Sequence, residues 1–334
     1  MLQSSSSIFS QAIARHDFLV TAEISPPKGA NIQHMVAQAQ LLKGRFHAIN
    51  ITDSSRAVLG MSPLAATVIL QQRVGVETIC QIACRDRNRI AMQGDLLGAE
   101  ALGIKNILAL TGDPVKAGDH PDARSVFDFE AVRLLQLIGK LNQGLDANDK
   151  PLPDGGTNLL AGAAVDPQSP SWAGLQRRFD RKLAAGAQFF QSQLITDFDR
   201  LAKFMDEIGN QGNKPVLAGI FLLKSAKNAM FINKYVPGVN IPDSIIDRLA
   251  KAEVPLQEGI AIAAEQIEAA KEICQGIHLM AVKAEHLMPQ ILDLAGIPHY
   301  ARLARDHRGR SDDELGEELI SEVRSVRAEM NVPP

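Results

Sequence analysis

The sequence predicts a closed (β/α)8 barrel of the TIM type, in the α/β class. Eight short runs rich in apolar and β-branched residues recur along its 334 residues, and each is followed by a longer stretch with helical spacing. The runs are nearly continuous in apolar residues instead of alternating, as strands of a parallel sheet covered on both faces must be. Eight such units can build either a doubly wound sheet or a barrel. The count of eight and the lack of a GxGxxG after the first run favour the barrel.

The units follow in order. FLVTAEI (18–24) leads into a helix at 31–43, FHAINIT (46–52) into one at 63–73, and ETICQIAC (77–84) into one at 87–102. Asp86 is placed to cap that third helix and Gly103 to end it. NILALT (106–111) leads through a long loop to a helix at 128–142, and NLLAGAAV (158–165) to one at 171–185. AQFFQSQLI (187–195) leads to 198–209. PVLAGIFLL (215–223) is followed by three helices, near 225–235, 242–251 and 255–274, the last expected to stop at a left-handed Gly276. GIHLMAV (276–282) leads to 284–295. The division expected is a barrel over residues 1–297 and a helical extension over 298–334. In that extension Ser311 and Glu314 form a capping-box pattern, and Leu315, Leu319, Val323, Val326 and Met330 make an apolar stripe for docking on the barrel or on a second copy.

Composition narrows the function. Hydrophobic residues at 46% and charged residues at 22% are those of a globular protein with a large core. A net charge of −3, no basic block, one Trp and two Tyr speak against a nucleic-acid surface. No run approaches the ~18 apolar residues of a membrane span, and the N-terminus has no signal-peptide pattern. Three cysteines, Cys80, Cys84 and Cys274, fit a reducing, cytoplasmic setting; no zinc-type spacing is present, so no metal site is expected.

In a (β/α)8 barrel the active site lies at the C-terminal ends of the strands. Those ends offer Glu23, Thr52 with Asp53, Gln81 with Arg85, Thr111-Gly112-Asp113, Gln193 and Lys283. Each has a bland alternative: a turn residue for Asp113, a core amide for Gln193, an exposed helix-start cation for Lys283. Jointly they place two carboxylates, Glu23 and Asp113, on one mouth, and the spacing places no histidine at a strand end there. Carboxylate acid–base or charge-stabilising chemistry on a bound organic cofactor follows. The loop 111–127 overhangs this mouth, whereas 142–158 belongs to the opposite face.

VTAEISPPKG, CRDRNRIAMQGDLLGA, NILALTGDP, GAQFFQSQLITD and GIHLMAV, in this order and spacing, resemble methylenetetrahydrofolate reductase over roughly residues 15–297. The CRDRNR spelling is closer to the branch found in one-carbon and acetyl-CoA pathways. The resemblance implies a flavin barrel, usually with FAD and here with FMN as the alternative. The flavin takes hydride from NAD(P)H and passes it through N5 to 5,10-methylenetetrahydrofolate, giving 5-methyltetrahydrofolate. Glu23 matches the family's general acid and is expected to have a raised pKa from partial burial and from Asp113. Asp113 matches the aspartate that faces the pterin and favours the cationic iminium. Gln193 matches a folate contact, and Lys283 is grouped with it. Thr52 and Thr111–Gly112 match flavin contacts. Lys182, with its neighbour Arg181, matches a flavin-phosphate contact.

Three departures stand out. Gln81 replaces a histidine beside the flavin, Thr111 replaces an arginine near its pyrimidine, and AGAAVDP lacks a tyrosine and a histidine used near the cofactor. The missing cation at Thr111 is expected to lower the flavin potential. An electron-donating partner protein in place of NADH and a homo-oligomer are both compatible with this branch. Two other readings stay open: another flavin barrel dehydrogenase, of the proline dehydrogenase type, whose arginine-pair motif is missing; and a non-catalytic subunit, against which the retention of both acids counts.

Overall fold

The first element is one that the periodicity does not announce. A computed structural model describes residues 7–236 and 238–300, and it begins with helix α1 (Ile8–Ala14), capped by the Ser7 hydroxyl. Phe9 of this helix is wholly buried and meets Phe189 edge-on, with ring centroids 5.1 Å apart. It plugs the base of the barrel.

The eight strands are β1 (Leu19–Ile24), β2 (Ala48–Ile51), β3 (Thr78–Ala83), β4 (Asn106–Leu110), β5 (Leu160–Val165), β6 (Phe189–Leu194), β7 (Val216–Phe221) and β8 (Gly276–Met280). They pair in parallel in chain order, and β8 closes on β1. The predicted (β/α)8 barrel is therefore the fold observed. The helices between and after the strands are α2 (Gln33–Leu42), α3 (Pro63–Val74), α4 (Arg89–Ala101), α5 (Ala131–Asn142), α6 (Trp172–Ala184), α7 (Phe198–Glu207), α8 (Ala226–Tyr235), α9 (Asp243–Lys251), α10 (Pro255–Ile273) and α11 (Met288–Leu294). One continuous apolar layer fills the space between strands and helices. Among the described residues no helix is long and apolar enough to cross a membrane.

Two expected punctuation marks fall elsewhere. Asn88, not Asp86, caps α4, its side chain accepting from the Ile90 and Ala91 amides. Asp86 is instead engaged by the Arg85 guanidinium at 2.7 Å. Gly276 does not end α10; that helix closes at Cys274 in extended conformation, and Gly276 is already the first residue of β8. A Cβ at Gly276 would lie 2.4 Å from the Leu19 carbonyl oxygen, so close strand approach is what requires the glycine there. Gly103, by contrast, takes the left-handed conformation expected of it, with φ of 80°.

Residues 299 and 300 pack under the barrel. His299 contacts the Arg45 guanidinium at 2.9 Å and Tyr300 stacks on His47 at 5.5 Å. The expected amphipathic helix at 311–330 lies outside the described residues.

Candidate functional site at the strand C-termini

The barrel interior changes character along its axis. At the base, Leu19, Ala48, Ile79, Leu108, Phe189 and Leu217 pack with Phe9 into a closed apolar plug. Side chains on a strand alternate faces, so the next inward positions lie two residues on. Among them are Thr21, Asn50, Gln81, Gln191 and His278, all polar and all buried, beside Leu110 and Gly219. A polar layer inside a barrel is costly unless each group is satisfied. Most are: His278 Nδ1 lies 3.0 Å from Thr21 Oγ1 and 3.4 Å from Asn50 Nδ2, and Gln81 Nε2 reaches Asn50 Oδ1 at 3.5 Å. Two atoms are not: His278 Nε2 and Gln191 Oε1 are buried without a hydrogen-bond partner.

Glu23 stands one step above this layer on β1. Its side chain is 21% exposed, and its Oε2 lies 3.5 Å from His278 Nε2, whose own side chain is 1% exposed. The spacing places no histidine at a strand end; the histidine that matters lies below the strand ends. His278 sits mid-strand on β8, in register with Thr21, and barrel closure brings its ring beneath Glu23. The signal was present in GIHLMAV as a histidine inside an apolar run, but sequence spacing alone does not say which face a short strand turns inward.

The mouth is framed by loops that clamp one another. Asp113, after β4, accepts a hydrogen bond from the Arg56 amide at 2.8 Å. Asp119 accepts from the Leu59 amide at 3.0 Å and from the Lys28 ammonium at 2.8 Å, which holds its carboxyl far below the usual carboxylate range. Ser54, Arg56 and Ala57 all adopt positive φ, an uncommon set for residues with a Cβ. A Cβ on Gly118 would lie 1.8 Å from the Ala57 carbonyl oxygen, so only glycine permits this contact between the two loops. Asp53 is buried behind the mouth. Its Oδ2 accepts from the Ala83 amide at 2.8 Å and from Arg87 Nη1 at 2.6 Å. Burial pushes its carboxyl up, and the Arg87 guanidinium opposes that rise.

A pocket of about 470 Å³ opens beside the end of β4, lined by Thr111, Gly112, Pro114, Phe127, Asp128, Phe129, Glu130 and Arg133. Thr111 Oγ1 accepts from the Ala131 amide at the start of α5, beside the N-cap Glu130. Gly112 has φ of 90°, and a Cβ there would press within 3.0 Å of Arg85 Cβ. Arg181 reaches the pocket wall through Glu130 at 3.3 Å. Lys182 does not line it: its ammonium is held on the Ala164 carbonyl at 2.7 Å, and burial lowers its pKa.

The expected residues therefore sort into three places. Glu23 and Gln81 belong to the barrel axis, and the buried Thr52 closes the end of β2, its hydroxyl 3.3 Å from Ser25 Oγ. Thr111, Gly112 and, through Glu130, Arg181 gather at the β4 pocket. Gln193 and Lys283 are exposed at the ends of β6 and β8. Gln193 lies within a register shift, where three steps on β6 match two on β7. Gln191, two residues earlier, is the glutamine buried in the interior. Among the described residues no group of three or more His, Cys, Asp or Glu is placed to hold a metal ion.

A family model described as methylenetetrahydrofolate reductase matches residues 8–296, the whole of this barrel. The chain belongs to the methylenetetrahydrofolate reductase family. Among curated relatives, methylenetetrahydrofolate reductase 1 of Schizosaccharomyces pombe is 23% identical over 286 residues, covering 82% of this chain and 45% of that one. The probable methylenetetrahydrofolate reductase (NADPH) of Caenorhabditis elegans is 24% identical and covers 72% and 35%. Methylenetetrahydrofolate reductase (NADH) 1 of Zea mays is 25% identical and covers 68% and 38%. The chain spans less than half the length of these relatives. Among solved structures, EDTA monooxygenase (EmoA) from Chelativorans sp. BNC1 superposes with a TM-score of 0.52 at 11% identity, covering 84% of this chain and 94% of that one, a likeness of fold alone.

Proposed function

We propose that this barrel reduces 5,10-methylenetetrahydrofolate to 5-methyltetrahydrofolate at its C-terminal mouth. Glu23 is the proton donor, Asp113 is the counter-charge to the cationic substrate, and a bound flavin, FAD or FMN, is the hydride carrier. The observation that carries this is Glu23 itself: a half-buried carboxyl over a polar layer that holds two unpartnered atoms, at the end of the barrel where (β/α)8 enzymes do chemistry. Family membership supports the reaction class.

The residues present fit a flavin. The unpartnered Gln191 Oε1 is an acceptor that a bound heterocycle can satisfy. Phe127 and Phe129 wall the adjoining pocket, and the turn at Gly112 brings backbone to its edge. Thr52, Gln81, Thr111, Gly112 and Arg181 are the groups that would hold the cofactor, with Lys182 contributing charge from behind β5. When bound, a flavin supplies hydride to the methylene carbon of the substrate.

The chain's own residues supply the rest. Glu23 gives its proton to N10 of the folate as the bond from N10 to the bridging carbon breaks. The ring opens, N5 becomes an iminium cation, and Glu23 is left as carboxylate. Asp113 uses Oδ2 on Arg56 and leaves Oδ1, exposed at the mouth, for that cation. Gln193 and Lys283, exposed at the rim, meet the polar parts of the substrate. NADH, NADPH or a reduced partner protein recharges the cofactor.

The experiment is an anaerobic visible spectrum of the chain reconstituted with FAD or FMN, before and after 5-methyltetrahydrofolate. Bleaching is the expected result. A bound flavin that ignores the folate, or no flavin binding at all, overturns the reading.

A further inference from the structure

We infer that His278 is a positioning residue for Glu23, holding an Nε2–H toward the carboxylate that remains after Glu23 has given up its proton. This rests on the proposed role of Glu23 and extends it to a residue that touches no substrate.

The geometry runs in one direction. Gln81 Nε2 approaches Asn50 Oδ1 at 3.5 Å, Asn50 Nδ2 approaches His278 Nδ1 at 3.4 Å, and the Thr21 hydroxyl lies 3.0 Å from the same Nδ1. An amide NH₂ can only donate, so the Asn50 contact favours Nδ1 as the accepting nitrogen, with the Thr21 proton turned to Nδ1 and away from the Ile277 carbonyl 3.3 Å from its oxygen. In a neutral imidazole the proton then resides on Nε2. That nitrogen is buried and has no hydrogen-bond partner, and the acid group within ion-pair distance of it is Glu23, at 3.5 Å. The other neighbours named here, Thr21, Asn50 and Gln81, do not ionise near neutral pH, so Glu23 is the one charged partner His278 has among the described residues.

A buried N–H left unmade is costly. A movement of about 0.7 Å by the Glu23 side chain shortens the contact to an ordinary charge-assisted hydrogen bond. Proton accounting is simple. The proton lost to folate N10 comes from Glu23 Oε, His278 keeps its own on Nε2, and Glu23 regains one from water through its exposed edge. The layer Gln81–Asn50–His278 thus selects a tautomer, and the tautomer favours the ionised product of the proton transfer.

The test is ¹⁵N NMR of the histidine-labelled chain without cofactor, the His278 signal being assigned by its loss in His278→Gln. The expected result is an acceptor-type Nδ1 and a proton-bearing Nε2, with the Nε2–H resonance moving upfield in Glu23→Gln. A proton on Nδ1, or an Nε2–H signal indifferent to Glu23→Gln, overturns the inference. In the reconstituted enzyme, His278→Gln, which keeps a donor near Nε2, retains folate-dependent flavin oxidation within about threefold, whereas His278→Leu loses about 100-fold in rate. Both keep the folate KM and the rate of flavin reduction by the electron donor. Equal losses in the two variants overturn it too. If the chain turns over no folate, the proposed function fails while the NMR result still decides the pair.

Discussion

Asp113 accepts the amide proton of Arg56 across the mouth of the barrel, at 2.8 Å. The carboxylate proposed to face the substrate cation is thus also the clip that joins the β4–α5 loop to the β2–α3 loop, in which Arg56 holds a positive φ. The two roles separate by substitution. Asp113→Asn keeps an acceptor and is expected to leave stability nearly unchanged while lowering folate turnover at least tenfold. Asp113→Ala loses the clip as well, at about 1 kcal/mol for one hydrogen bond. Urea unfolding and single-turnover flavin oxidation, measured on both variants, check this.

The Asp53–Arg87 pair carries a pH signature. Arg87→Leu leaves a buried carboxyl without its counter-charge, which costs about 3–5 kcal/mol at neutral pH. Burial raises the folded-state pKa of Asp53 above its unfolded value. The folded state then binds more protons, so the contribution is intact below the unfolded pKa and is lost as pH rises through the folded one. Arg87→Leu should therefore be closer to wild-type stability near pH 4 than at pH 7. The added change Asp53→Asn should remove that dependence in chemical denaturation series across pH.

Thr111 stands where the family resemblance implies an arginine, and its hydroxyl accepts from the Ala131 amide at the start of α5. Thr111→Arg places a cation by the β4 pocket and is expected to raise the potential of a bound flavin by favouring its anionic reduced form. Thr111→Val, which only removes that hydrogen bond while Glu130 still caps α5, should cost about 1 kcal/mol and leave the potential in place. Anaerobic redox titration against reference dyes distinguishes the two.

Phe9 tests the plug. Its ring is fully buried against Phe189 at the base of the barrel. Phe9→Ala opens a cavity where α1 closes the sheet and is expected to cost about 3–5 kcal/mol. Deleting residues 1–14 should cost at least as much. Thermal and urea denaturation of the two variants measure it.

The amino-acid sequence by itself determined the eight βα units, the parallel barrel, and Glu23 and Gly112 as residues at the C-terminal ends of its strands. Those features are local or periodic: apolar runs, helical spacing, and a glycine in a turn each leave their mark within a few neighbours. Only the tertiary structure decided what lies inside the barrel. Which face of a five- or six-residue strand turns inward is set by closure of β8 on β1. That closure puts His278 beneath Glu23, while a register shift between β6 and β7 separates the buried Gln191 from the exposed Gln193. The clip between Asp113 and Arg56, 57 residues apart, has the same origin. So does the shelter that Asp53 and Arg87 give each other, because a buried polar group takes its partner from whatever the fold brings near, and sequence spacing carries no record of that.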